Sequence, residues 1–246
     1  MQLTPTIKNN VFSQPLSTIK TDKKCVINTI NAYSYCVTKK DAHFAEVLTT
    51  SDVLLPDGTS IVLAAKLLAH KNIQKIAGWD IHQHLLEQAN AKAQKVFYLG
   101  ASENTLQLIK RRISQEFPAI KVASYSPPFK TTFTQQENEA MIAQVNAFAP
   151  AILFVGMTAP KQEKWVHAHK NELNATVICS IGAVFDFYAG TIQRAPHWMI
   201  RIGLEWLYRL VKEPKRMWKR YLIGNTQFIY YVFKEKWQSL FHKKSN

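Results

Sequence analysis

Asp57 is the residue with the clearest chemical reading. It follows the apolar run Leu54-Leu55-Pro56 and is followed by Gly58. A carboxylate on a Pro/Gly turn at the end of a buried strand can take a proton from a hydroxyl as a general base. The same tripeptide also suits a turn-capping aspartate. Thr29 and Asn31 end the preceding apolar run and offer a hydroxyl and an amide to a sugar or phosphate, or to a strand-end cap. The segment Gly156-Met-Thr-Ala-Pro-Lys-Gln-Glu163 is more specific. Glycine allows close backbone approach, the next helix starts near Pro160, and Lys161 and Gln162 add donors, so this reads as a diphosphate cradle. Gly100, after the strand-like Lys95–Leu99, is a weaker phosphate-loop candidate or a plain strand–helix turn. Asp186 lies between two aromatics and suits a ribose or base contact, or a structural cap.

A second set of groups is cationic. Residues 191–246 hold 12 of the 31 basic residues but only 3 of the 17 acidic ones, within a chain of net charge +14. From Arg194 to Tyr221 tryptophans and tyrosines alternate with arginines and lysines. Such a stretch attracts phosphates or an anionic surface and suits a headgroup layer. Arg209, Arg216, Lys219 and Arg220 are its candidates for stabilising a departing phosphate. His82/His84 and His167/His169 are each two residues apart, which on a helix points them to different sides. There is no Asp-x-Asp. No metal site and no cofactor are expected.

Elements that position these groups follow from periodicity. Strands are expected at 24–30, 52–55, 95–99, 120–125, 151–155 and 176–181. Helices are expected at 35–49, 60–69, 81–93, from 100 to 117, 135–147 and 160–169. This alternation predicts an α/β, Rossmann-like fold with a mainly parallel sheet covered by helices on both faces. Residues 1–22 read as a loose leader, 23–192 as the catalytic core, and 193–246 as a helical basic and aromatic appendage. In that appendage Gly224 is expected to end a short helix begun at Pro214. Ile229, Phe233, Trp237 and Leu240 then share one face of the last helix.

Three widely spaced cysteines predict buried, reduced thiols. The N-terminus lacks the apolar core of a signal peptide, and no apolar run reaches the ~18 residues of a membrane span. The expected location is the cytoplasm, peripheral at the inner face of the membrane. The missing Gly-x-Gly-x-x-Gly argues against a dinucleotide-dependent oxidoreductase. A basic nucleic-acid-binding α/β protein is the alternative reading of the charge, but helix–turn–helix, zinc-finger and RNP patterns are absent, and no nucleic-acid partner is expected.

The segments Thr29-Ile-Asn31, LLPDGTSIVLA (54–64), KIAGWDI (75–81), VFYLGAS (96–102), ILFVGMTAPKQEKWV (152–166), GAVFDFYAG (182–190) and RAPHWMIRIGLEWLYRLVKEPKRMWKRYL (194–222), in this order, resemble the WecG/TagA/CpsF glycosyltransferase family. The resemblance implies inverting transfer of a sugar from a UDP-sugar to a polyprenyl-diphosphate-linked saccharide in cell-surface polysaccharide synthesis. The sugar would be N-acetylmannosamine, its uronic acid or another hexose. The resemblance makes Asp57 the general base, with Thr29 and Asn31 lining the same pocket and Gln162 in the donor pocket. It places Lys75 where the family pattern has an arginine, and makes the basic tail a cover that closes over the site at the membrane. A homo-oligomer is compatible with all of this.

Overall fold

Alternation of side chains along the strands decides the architecture. The computed structural model describes residues 1–242, apart from the side chains of Arg216 and His242. In chain order α1 (Leu3–Asn9) precedes β1 (Cys25–Ile30), α2 (Ala32–Thr38), α3 (Ala42–Thr49), β2 (Val53–Pro56) and α4 (Thr59–Ala69). Next come α5 (Gly78–Ala91), β3 (Lys95–Gly100), α6 (Glu103–Glu116), β4 (Lys121–Tyr125), α7 (Gln135–Phe148), β5 (Ile152–Gly156), α8 (Lys161–His169), β6 (Val177–Ser180) and α9 (Gly182–Ala189). The C-terminal part holds α10 (His197–Arg201), α11 (Glu205–Lys212), α12 (Pro214–Trp218) and α13 (Gly224–His242).

The six strands form one sheet in the order β2-β1-β6-β5-β3-β4, with every pairing parallel. Val96, Tyr98, Ile152, Phe154, Val177 and Cys179 point to one face and pack with α5, α6 and α9. Their neighbours Phe97, Leu99, Leu153, Val155 and Ile178 point to the other and pack with α7 and α8. Strands buried on both faces need this near-continuous apolar sequence. The fold is the α/β, Rossmann-like arrangement expected. All three cysteines are buried and free. From β3 the chain runs through α6 to the edge strand β4, whereas from β5 it runs through α8 to β6 near the middle. Adjacent strands whose connections diverge leave a crevice at their carboxyl ends, the usual ligand position in such sheets.

Three expectations need correcting. Residues 1–22 are no loose leader: Leu3 and Ile7 of α1 are buried, as are Val11 and Ile19. Leu3, Ile7 and Val11 join a third apolar cluster with Tyr35, Phe44, Ile61, Phe228 and Val232, while Ile19 packs with the α5, α6 and α9 face. Short polar stretches and two prolines masked this amphipathic turn. The helix expected over 35–49 is two helices, because Asp41 caps a new start by accepting from the Phe44 N–H at 2.9 Å. Gly224 does not end a helix. A π-helical turn over Lys219–Ile223 joins α12 to α13, and Gly224 is the first residue of α13.

The last helix is held firmly. Glu235 accepts from the backbone N–H groups of Leu3 (2.8 Å) and Thr4 (3.0 Å) and from the Tyr35 hydroxyl (2.7 Å). One carboxylate thus caps α1 and fastens α13 to α2. By contrast α10 and α11 bury no side chain. The stripe Ile229, Phe233, Trp237 and Leu240 does share one face of α13, but that face looks outward: each residue is more than half exposed.

Candidate active site

A cleft of about 1580 Å³ opens at the carboxyl ends of the strands. Its walls include Thr29 near the end of β1 and Asn31 just after it, Asp57 after β2, and the last residues of β3 (Gly100), β5 (Gly156) and β6 (Ser180). Parallel register carries these residues to one edge: Thr29 pairs with Leu55 and Gly100 with Gly156. Gly100 has φ 119°, and a Cβ there would collide with the Gly156 carbonyl. Only glycine lets the β3 and β5 loops lie this close while the Ala101 N–H donates to the Gly156 oxygen at 3.1 Å.

Asp57 is fixed through its backbone. Its N–H donates to the Ile30 carbonyl at 2.9 Å, and the Pro56 carbonyl accepts from the Ile76 N–H at 3.0 Å. The side chain is half-buried on the cleft wall. Burial pushes its carboxyl up from 3.8 to about 6, helped by the negative charges of Glu205 and Asp80 and opposed by Lys75 and Arg220. An accessible carboxylate with that affinity for protons is suited to general-base work near neutral pH. Asn31 lines the same wall and caps α2, its Oδ1 accepting from the Ser34 N–H at 3.0 Å.

At the β5 end the cradle is wired differently from the expectation. Gln162 accepts from the Met157 N–H at 3.2 Å and donates to Glu163 Oε1 at 2.8 Å. Its amide therefore organises the loop. Lys161 lines the cleft, but its ammonium donates to the Lys130 carbonyl at 2.7 Å and lies 4.5 Å from the Phe133 ring centre; burial lowers its pKa. Glu163, which the sequence reading did not single out, is 2% exposed, and burial raises it from 4.5 to about 7. Hydrogen bonds from Gln162 and its own backbone N–H, and the charge of Arg220, act against that rise. Glu163 Oε2 and the Ser180 hydroxyl are buried polar atoms without a hydrogen-bond partner, and both residues line the cleft.

The C-terminal segment forms the facing wall. Arg209 lies 5.1 Å from the Phe187 ring and Arg220 4.7 Å from the Tyr33 ring, and both line the cleft with an Nε atom that has no hydrogen-bond partner. The Arg216 side chain lies outside the described residues, and Lys219 is exposed beside Trp218. Asp186 also lines the cleft. Lys75 meets Glu205 at 3.3 Å, and Arg194 meets the other oxygen of Glu205 at 3.3 Å. Arg194 and Glu205 were not expected at the site. An acid within a basic tract was the available signal for Glu205. Leu63, Leu67, Ile202, Ile229 and Phe233 extend the same cleft into an apolar, exposed rim. No group of three or more His, Cys, Asp or Glu among the described residues could hold a metal ion, and no described helix is long and apolar enough to cross a membrane.

The model of the Glycosyl transferase WecG/TagA/CpsF family matches residues 2–241. The chain belongs to this family of glycosyltransferases. The match takes in α1 and most of α13, so both belong to the family's fold. Among similar proteins, the N-acetylglucosaminyldiphosphoundecaprenol N-acetyl-beta-D-mannosaminyltransferase of Bacillus subtilis (strain 168) is 34% identical over 219 residues, covering 89% of this chain and 83% of that protein. The protein of the same name from Bacillus spizizenii is 32% identical, covering 74% and 69%. That from Staphylococcus aureus (strain MW2) is 29% identical, covering 78% and 73%.

Proposed function

We propose that this glycosyltransferase moves N-acetylmannosamine, or a close relative of it, from a UDP-sugar to a polyprenyl-diphosphate-linked N-acetylglucosamine, with inversion, at the cytoplasmic face of the membrane. The observation that carries this reading is the continuity of one cleft from a half-buried base to an exposed apolar rim. A lipid-linked acceptor has a sugar hydroxyl, a diphosphate and a hydrocarbon chain in that order. The cleft offers Asp57, the Arg209 and Arg220 guanidiniums, and the Leu63–Phe233 rim. The names of the relatives support the same acceptor.

In the reaction the acceptor hydroxyl gives its proton to the Asp57 carboxylate while its oxygen bonds to the donor's anomeric carbon. The bond from that carbon to the UDP oxygen breaks, and UDP leaves with the electron pair. Attack opposite the leaving group inverts the centre. Arginines held against aromatic rings, with donors still unpaired, suit the charge that grows on the diphosphate. The outward stripe on α13 and exposed Trp198 suit the lipid interface, where aromatics and cations share the headgroup layer. A nucleic-acid surface would instead spread its cations over an open face, whereas here the arginines line a cleft beside apolar side chains.

The test is a panel of UDP-sugars incubated with a short-chain lipid diphosphate bearing N-acetylglucosamine, products read by mass spectrometry. Transfer from UDP-N-acetylmannosamine is expected. No sugar transfer to this acceptor from any donor in the panel, with the protein folded, sinks the reading.

A further inference from the structure

Lys75 and Arg194 share one carboxylate. Lys75 Nζ approaches Glu205 Oε2 and Arg194 Nε approaches Oε1, each at 3.3 Å. The three residues come from the segment before α5, the linker after α9, and the first turn of α11, and all line the cleft. One anion with two oxygens, each facing a separate cation, is the pattern in which a phosphate group is also held. The distances are long beside the ~2.7–2.9 Å of a tight charge-assisted bond, so the carboxylate is loosely gripped. Arg194 is itself fixed, lying 5.1 Å from the Trp79 ring.

Glu205 sits on a part of the molecule able to move. Neither α10 nor α11 buries a side chain, and segments with few buried contacts open at low cost. Between them Gly203 (φ 77°) passes so close to the start of α4 that a Cβ would come within 2.8 Å of Thr59 Oγ1. Thr59 is two residues from Asp57. The α10–α11 turn therefore rests beside the base, and the Glu205 contact is one of the pins that keeps it there.

We propose that Glu205 is an exchangeable counter-anion: it occupies the Lys75–Arg194 cation pair in the free enzyme and yields that pair to the diphosphate of a bound substrate. This rests on the glycosyltransferase reading above, in which both substrates carry a diphosphate. The exchange frees the α10–α11 cover to reseat around the ligand. It also leaves negative charge near Asp57, whose proton affinity the Glu205 charge now helps to raise. Lysine suits the role, since a compact ammonium on a flexible stem changes partners more readily than a bidentate guanidinium.

The experiment uses the full chain with Glu205→Gln and calorimetric binding of two probes, UDP and a short-chain prenyl diphosphate. Two partly buried, long bridges no longer compete with the ligand, so the dissociation constant should fall about three- to tenfold for at least one probe. The gain should vanish when Lys75→Met or Arg194→Met is added. Tightening for UDP alone assigns the pair to the donor; for the prenyl diphosphate alone, to the acceptor; for both, to a shared subsite. Glu205→Asp, which draws the carboxylate back by one methylene, should show a smaller gain and serves if the glutamine variant does not fold. Unchanged or weaker affinity for both probes in a folded variant overturns the inference while wild-type binding leaves the glycosyltransferase reading standing. Absence of binding by every form overturns both.

Discussion

Asp57 and Glu163 are two carboxylates in one cleft, each held by burial above the usual carboxylate range, at about 6 and about 7. Their surroundings differ. Asp57 is half-buried on the cleft wall and is fixed through its backbone. Glu163 is 2% exposed, and one oxygen is tied into a relay through Gln162 to the Met157 N–H. A raised proton affinity marks both, yet only the accessible group can meet an incoming hydroxyl. The tied one holds the shape of the β5–α8 loop. Burial raises both carboxyls of the cleft, and exposure and hydrogen bonding then divide the roles between them.

The largest effect should come from Asp57→Asn. Asparagine keeps the shape and cannot take the proton, so turnover should fall ~10²–10⁴-fold while UDP affinity holds. The melting temperature at pH 8 should be unchanged or higher, because the folded protein no longer keeps a charge in a site that disfavours it. Steady-state kinetics with saturating acceptor and a thermal melt decide it. The contrast collapses if Glu163→Gln loses as much turnover as Asp57→Asn.

The parallel sheet was legible because strands buried on both faces leave near-continuous apolar runs, and the loops at their ends carried Thr29, Asn31, Asp57, Gly100 and Gly156 to one edge. Sequence could not show which polar groups consume one another. Lys161 looked free and is engaged by the Lys130 carbonyl; Lys75 looked free and is paired with Glu205. Such pairings join residues 31 and 130 positions apart, which no local pattern encodes. The C-terminal segment shows the same limit. Uniform basic and aromatic composition hid a division between α10–α11, which have no fully buried residue, and α13, which inserts Phe228 and Val232 into the cluster around Tyr35. Deleting everything after Gly190 would therefore open the core as well as remove the cover.

A smaller effect separates the two ways of removing Glu163. Glutamine keeps an acceptor for the Gln162 amide, so Glu163→Gln should fold and, below about pH 4.5 where Glu163 is neutral, melt like the parent. Alanine leaves that buried amide unpaired, at a cost of about 1–3 kcal/mol. For a chain of this size that is a fall in Tm of ~3–10 °C. Because the relay ends on the Met157 N–H, the alanine variant should raise the KM for the donor more than it lowers kcat. An alanine variant as stable as the parent, with an unchanged donor KM, would make Glu163 no scaffold, and the contrast with Asp57 would fail on that side.

The finest test is pH. In the proposed mechanism the base is ionised Asp57, so kcat/KM should decline as pH falls below about 6 and level off above it. Stability runs the other way. Both carboxyls bind protons more tightly when folded, about 6 against 3.8 for Asp57 and about 7 against 4.5 for Glu163. The folded state therefore holds more protons than the unfolded chain between these values. The stability they contribute is fully present below the lower values and is lost as pH rises through about 6 to about 7. Melts of the parent, Asp57→Asn and Glu163→Gln across this range should show the parent losing ground to each variant with rising pH. The loss against Asp57→Asn should finish near pH 6 and that against Glu163→Gln near pH 7. Differences in Tm that stay constant with pH would mean that neither carboxyl is held in its neutral form by burial, and the shared property from which the two roles diverge would be gone.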